Sequence, residues 1–261
     1  MPEPLAGRRI LVTRRPEQSA TLTGALVALG AEVVEVPLLG VAPPADAEPF
    51  RRALADLESY RWLALTSANA VQALSDALER DGRSLSASLR LASVGPATSA
   101  AIRERLGTEP ALEPASDFRA AGLLRAFDAF DLTGDRVLLP VSDHARDVLA
   151  EGLRARDALV DVVVAYRTVT PAGAGEALDR ALRAGADLVT LASPSAVEGL
   201  VAILGPRAAD VGVAVIGPVT EDAARGAGLS VRVVASPATA QGLVDAIRGH
   251  FHHQAARDPR P

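Results

Sequence analysis

The chain contains no cysteine. Disulfides, a cysteine nucleophile and thiolate-held zinc or iron–sulfur clusters are therefore excluded. Lysine is also missing, so all 27 basic residues are arginine. That removes a Schiff-base lysine, and with it pyridoxal phosphate chemistry of the usual kind, together with the lysine of a P-loop. Bias towards alanine and arginine is the simplest cause, and the exclusion holds whatever the cause. Only four histidines occur. His250, His252 and His253 fall in the terminal stretch HFHHQAARDPRP and His144 stands alone, so no metal site is expected. No apolar run approaches the roughly 18 residues of a membrane helix. The first residues, MPEPLAGRR, carry Glu3 and no apolar signal core, so the expectation is a cytoplasmic protein without a membrane partner. A net charge of −5, with no basic face interleaved with aromatics, argues against nucleic acid.

What remains is a chain of 261 residues, 49% hydrophobic and 23% charged, enough for one large domain or two ordinary ones. Short apolar runs alternate with segments of helical period. Strands are predicted near 9–13, 32–36, 61–65, 90–94, 136–139, 159–165, 187–191, 212–216 and 231–234. Helices are predicted near 17–29, 47–57, 67–80, 96–106, 117–129, 144–155, 174–184, 193–204, 218–227 and 239–249. Unbroken Val/Leu/Ile strands are buried on both faces, which predicts mostly parallel sheets with helices on both sides. The fold class is α/β, doubly wound.

The chain repeats itself. LALTSANAVQAL (63–74) is echoed by VTLASPSAVEGL (189–200), SVGPAT (93–98) by VIGPVT (215–220), and AGLL (121–124) by QGLV (241–244). A fainter pair joins LVTRR (11–15) to VLLPV (137–141). Matching blocks in matching order imply two similar domains. Their order suggests one domain of 1–36 with 172–261 and an inserted one of 40–163. The linkers 36–40 and 163–171 would then run side by side in a two-stranded ladder, VVEVPLLGV (33–41) against VVVAYRTVT (162–170), both β-branched and apolar. A simpler cut near residue 130 remains open, and 250–261 reads as a disordered tail.

Each repeated block ends a strand, turns on Ser, Thr or Gly and starts a helix. First-turn N–H groups and the helix dipole make such a junction an anion site. In open parallel sheets the carboxyl ends of strands are where ligands bind. Thr66, Ser67 and Asn69, Gly95 and Thr98, Ser193, Pro194, Ser195 and Ala196, and Gly217 and Thr220 stand at these junctions. A competing reading makes each Ser or Thr an N-cap contributing about 1 kcal/mol. It makes Gly95 and Gly217 mere turn residues.

LVTR (11–14), LTSANAV (65–71), VGPAT (94–98), VAYRT (164–168), LASPSAV (191–197), IGPVT (216–220) and AQGLVDAI (240–247) occur in order over nearly the whole chain. In this the sequence resembles the uroporphyrinogen-III synthase family. The resemblance implies two α/β domains joined by a two-stranded β-ladder, with the substrate between them. It implies a cofactor-free lyase of tetrapyrrole biosynthesis, on the route to haem, sirohaem and cobalamin. Its substrate is the linear tetrapyrrole hydroxymethylbilane, supplied by the preceding deaminase. Water is lost and ring D is inverted as the macrocycle closes. It implies substrate contact at Thr98 and Thr220, and at Tyr166 a residue that helps the hydroxyl leave. A phenol, with a pKa near 10, is a weak acid at pH 7, so it would assist rather than drive. Packing in a hinge strand is the other reading of Tyr166. Arg14 suits bidentate pairing with a carboxylate, or is a plain surface arginine beside Arg15. Trp62 is expected to pack a strand rather than stack on a pyrrole.

The chain departs from the family where PVS (140–142) replaces the usual Pro-Arg-Gly, where Asp157 replaces a glycine, and where Arg15 precedes Pro16. A monomer is expected, since no extra apolar helix face stands out. Two other classes compete. One is a non-catalytic binder of tetrapyrroles or other polyanions on the same scaffold. The other is a nucleotide-sugar enzyme, disfavoured because no G-x-G-x-x-G follows a strand.

Overall fold

The computed structural model describes residues 3–145 and 147–257. In chain order the first elements are β1 (Arg9–Val12), α1 (Pro16–Ala28), β2 (Glu32–Glu35), β3 (Gly40–Ala42), α2 (Glu48–Ala55), β4 (Trp62–Leu65), α3 (Ala68–Arg80) and β5 (Arg90–Ser93). Then come α4 (Pro96–Leu106), α5 (Ala120–Phe127), β6 (Arg136–Ser142), α6 (Val148–Arg154), β7 (Leu159–Val169) and α7 (Ala174–Arg183). The last are β8 (Leu188–Leu191), α8 (Pro194–Leu204), β9 (Gly212–Val215), α9 (Pro218–Gly226), β10 (Ser230–Val234) and α10 (Ala240–Arg257). Proline opens α1, α4, α8 and α9. There its fixed φ suits the helix and its missing N–H costs nothing.

Two compact units emerge, Met1–Gly40 with Val169–Pro261, and Val41–Thr168. The first carries a sheet of order β10-β9-β8-β1-β2, the second one of order β3-β7-β6-β4-β5. The β1–β2, β1–β8, β8–β9, β9–β10, β4–β5, β4–β6 and β6–β7 pairs are all parallel.

Neighbouring strand residues point to opposite faces, and both faces here are apolar. In the first unit Leu11, Val189, Leu191, Val213 and Val215 pack with Leu178, Val197, Leu200 and Ala224 of α7, α8 and α9. Ile10, Val12, Leu188 and Ala214 face the other way, onto Leu22, Leu26, Leu243, Ile247 and Phe251 of α1 and α10. In the second unit Leu63, Leu65, Leu91 and Leu138 meet Leu54, Leu74 and Ile102 of α2, α3 and α4. Trp62, Ala64, Val137 and Leu139 meet Leu123, Phe127, Leu149 and Leu153 of α5 and α6. Trp62 presents its ring edge-on to Phe127 and Phe130 at 5.1 and 4.9 Å, the packing role expected of it. Each such side chain contributes about 1.5–3 kcal/mol by leaving water.

The sequence repeat is also a repeat of position. If β4 answers β8 and β5 answers β9, then β6 answers β1 and β7 answers β2, and the two sheets have the same order. Leu112, which pairs in parallel with Ala92 outside the named strands, holds the place of β10. Only β3 is extra. The units differ in where the chain enters: the first starts at β1, the second at β4.

Turn chemistry repeats too. Gly30 takes φ +89° and Asp157 φ +60°, the one non-glycine residue with positive φ among the described residues. Both follow a helix and precede a strand by two residues. Ala31 N–H donates to Leu26 O and Ala158 N–H to Leu153 O, closing the same left-handed helix stop. Asp157 thus performs the backbone task of the glycine it replaces, which aspartate tolerates better than most side chains.

Three expectations need correction. Residues 36–39 form no strand, because Pro37 has no N–H to give a ladder. The segment that does pair is β3, and its partner β7 is an internal strand of a five-stranded sheet. Residues 250–257 are not a disordered tail: Phe251 extends the apolar stripe of Leu243, Val244 and Ile247, lies buried, and has the Arg8 guanidinium 4.5 Å above its ring. Residues 258–261 lie outside the described ones. Finally, α5 and α6 are shorter than the expected 117–129 and 144–155.

Candidate functional site

In each sheet the order reverses at one pair, β1/β8 in the first unit and β6/β4 in the second. Chains leaving two such strands diverge to opposite faces and open a crevice at their carboxyl ends, where ligands bind in folds of this kind. The four repeated junctions lie along these carboxyl edges.

Ser67 and Ser193 are near-copies. Their backbones sit at φ −159°, ψ 153° and φ −163°, ψ 160°. The Ser67 Oγ accepts from Ala70 N–H at 3.0 Å, and the Ser193 Oγ from Ala196 N–H at 3.2 Å. Both are thus N-caps, as the plainer reading held. Thr66 directly follows β4, Asn69 has a partner inside the protein, and Pro194 and Ser195 open α8. Gly95 and Gly217 have extended backbones, φ 163° and 167°, not the special turn conformation expected of them. They are glycine for space. A Cβ on Gly95 would lie 2.8 Å from the Phe118 Cβ, and one on Gly217 2.7 Å from the Ala238 Cβ.

Thr98 and Thr220 occupy the third helical positions of α4 and α9 and are only 4% and 3% exposed. Neither hydroxyl has a hydrogen-bond partner among the described residues, yet neither oxygen is sealed from solvent; that state is confined to Arg9 Nε. A nearly buried hydroxyl with no protein partner is left to water or to a ligand, and twice it occurs in the first turn of a helix.

Arg14 follows β1 at the reversal point of the first unit. It is partly buried, and burial alone pushes its guanidinium below the usual arginine pKa. Among the described residues it has no ion-pair or side-chain hydrogen-bond partner. Most other arginines of the chain are tied to carboxylates, as Arg136 is to Asp56 and Asp161, both at 2.8 Å. The equivalent position of the second unit holds no arginine. Leu138 pairs with Leu63 as Leu11 pairs with Val189, so Val141 stands where Arg14 does.

Tyr166 on β7 is 7% exposed, and its hydroxyl lies 3.0 Å from the Ser67 Oγ across 99 positions of sequence. Counting equally from Gly30 and Asp157 reaches Leu39 and Tyr166. The two similar units therefore differ at these positions, with the arginine in one and the tyrosine in the other. The second tyrosine has a different use. Tyr60 donates to Asp161 at 2.7 Å beneath Arg136, at the amino ends of β4, β6 and β7. Burial first, then Asp161, raises its pKa and keeps it protonated.

Two hollows of the second unit, 390 and 460 Å³, lie at the amino ends, one lined by Glu79, Arg83 and Arg105 and the other by Asp56, Asp161, Arg52, Arg136 and Arg154. Size favours them, but they lie at the end of the sheet away from the repeated junctions, and Arg136 is already taken up by Asp56 and Asp161, so the carboxyl edges, where ligands bind in folds of this kind, remain the better candidates. Among the described residues no group of three or more potential metal ligands occurs. Sequence reasoning missed Phe118 and Arg119 at the start of α5. Nothing local marks a phenylalanine as exposed.

Comparison with known proteins supports the same assignment. The family model described as uroporphyrinogen-III synthase HemD matches residues 20–245. The uroporphyrinogen-III synthase of Synechococcus elongatus is 33% identical over 65% of this chain and 64% of its own length. The porphyrin biosynthesis protein HemD of Ruminiclostridium josui is 39% identical over 40% of this chain and 21% of its own. The chain thus spans less than two thirds of either relative. A crystal structure of a mutant uroporphyrinogen III synthase from the extreme thermophile Thermus thermophilus covers 95% of this chain and 100% of its own, with a TM-score of 0.63 at 18% identity, which establishes likeness of fold. This chain belongs to the uroporphyrinogen-III synthase family.

Proposed function

We propose that the chain is a working uroporphyrinogen-III synthase, a carbon–oxygen lyase that closes hydroxymethylbilane to uroporphyrinogen III with loss of water and inversion of ring D. On this reading it acts as a cytoplasmic monomer and takes its substrate from the deaminase that makes it. The observation that carries the reading is the set of unpartnered donors at the carboxyl edges: Arg14, and the buried hydroxyls of Thr98 and Thr220 in the first turns of α4 and α9. The substrate bears eight carboxylates and the protein a net charge of −5, so overall charge repels and local donors must bind. Helix N-termini do so without lysine.

The chemistry asks little of acids and bases. The pyrrole expels its own hydroxyl once that oxygen receives a hydrogen bond or proton. Tyr166, oriented by Ser67, is the donor. Electrons from the pyrrole nitrogen complete C–O cleavage, and the substituted α-carbon of ring D attacks the methylene so formed to give a spiro intermediate. The bond from that carbon to the bridge of ring C then breaks. The free α-carbon of the turned ring D takes up the bridge and loses its proton, which balances the one that left with the hydroxyl as water. Without a catalyst the same substrate closes to the type I isomer, so holding the arms accounts for much of the catalysis. A second reading, a binder without turnover, draws on Val141, which leaves the second unit without a counterpart of Arg14.

Saturation kinetics test the proposal. The wild-type chain should consume hydroxymethylbilane well above the blank. Arg14→Ala should raise KM about tenfold to a hundredfold, as expected for losing a hydrogen bond between charged groups. Consumption at the blank rate would leave the binding protein as the reading. An unaltered KM in Arg14→Ala would remove the arginine from the site.

A further inference from the structure

Resting on that reading, we propose that Phe118 is a platform on which one carboxylate-bearing pyrrole ring of the substrate stacks. Phe50, Phe127 and Phe251 are buried, whereas Phe118 is 47% exposed. It lies in the segment between the Leu112 bridge and α5, which leaves the sheet at its carboxyl edge. Its ring is fixed from below. A Cβ on Gly95 would come within 2.9 Å of both Phe118 Cγ and Cδ1, so the ring rests directly on the backbone that opens α4.

The surroundings of the ring suit an anion. On one side is the first turn of α4, with the unpartnered hydroxyl of Thr98. Next to it in the chain is Arg119, whose side chain is 85% exposed and 3.9 Å from Asp117, while Asp117 is held more closely by Arg125 at 2.5 Å. Arg119 is thus weakly committed. A flat π-face seated on a helix N-terminus, with an exposed arginine next in the chain, fits a ring that carries carboxylate arms.

The platform exists once. In the first unit the residue packed on Gly217 is Ala238, which offers no ring. The two edges therefore share their helix N-termini and differ in their aromatic. For a substrate made of four similar pyrroles, that difference gives one edge a preference the other lacks.

The test uses steady-state kinetics of the full chain with hydroxymethylbilane for Phe118→Ala and Phe118→Trp. Phe118→Ala should raise KM roughly threefold to tenfold with kcat within about twofold, and Phe118→Trp should restore KM. The thermal midpoint should stay at the wild-type value, because the ring is half exposed. An unchanged KM in Phe118→Ala overturns the platform. So does a raised KM that accompanies a lowered midpoint and is not relieved by tryptophan. Failure of the underlying functional reading is seen separately, as a wild-type chain that consumes no substrate above the blank, and removes the platform with it.

Discussion

Tyr166→Phe should lower kcat roughly a hundredfold and leave KM within about threefold, the pattern of a proton or hydrogen bond supplied mainly in the transition state. The substitution removes one oxygen and keeps the ring, so the packing of β7 against Phe50 and Ala70 is preserved. It therefore separates the two readings of this residue. A tyrosine that only packs would give an enzyme with wild-type kcat. The partner gives a second check. Ser67→Ala takes away the atom 3.0 Å from the phenol and the N-cap of α3 together. It should cost about 1 kcal/mol of stability and a smaller part of kcat, because the hydroxyl is then present but unaimed. Product analysis by rapid quench would register kcat for both variants, and thermal denaturation the stability of Ser67→Ala.

Gly242→Ala is expected to destabilise its unit by about 3 kcal/mol or more, and Gly122→Ala likewise. A Cβ at Gly242 would overlap the carbonyl oxygen of Pro237, and one at Gly122 that of Asp117. In both cases the obstacle is backbone, which cannot turn aside as a side chain does. The unfolding midpoint should fall by roughly 6–12 °C, read by thermal denaturation with circular dichroism. Gly249→Ala is the control. It lies within α10 with nothing near the added methyl, and should gain about 0.5–1 kcal/mol, the usual difference between glycine and alanine in a helix. Equal stability of Gly242→Ala and the wild type would mean that the segment before α10 is not pinned as described. The same close approach fixes the segment before α5, which carries Phe118.

Much of the fold is legible in the sequence, for identifiable reasons. Strands such as WLAL are apolar at every position, and LVTL at every position but Thr190, because helices cover both faces, and that pattern needs no tertiary knowledge. The doubling is legible because serine, glycine and proline at strand ends answer to local backbone demands, which both units share. Proline at the first helical position and Ser67 as a cap are of this kind. The rest depends on three-dimensional neighbours. Pro37 is a warning that 36–39 will not pair, but the pairing of β3 with β7 is non-local. Three histidines around Phe251 suggest a tail, although its spacing from Ile247 and Leu243 continues a buried stripe. Gly95 and Gly217 are legible as glycines, but the reason, the close approach of Phe118 and Ala238, is not. Nor can composition reveal that Thr98 and Thr220 lack partners or that Arg14 stands apart from the carboxylates that occupy Arg136 and Arg156.

The claim that these edges direct an eight-armed acid to one product is tested most directly by the isomer composition of that product. Purified chain would be given hydroxymethylbilane generated in the same vessel, the porphyrinogens oxidised, and the type I and type III isomers separated. Type III is expected in large excess over a blank that yields type I. Type I alone, in the proportion of the blank, would contradict it.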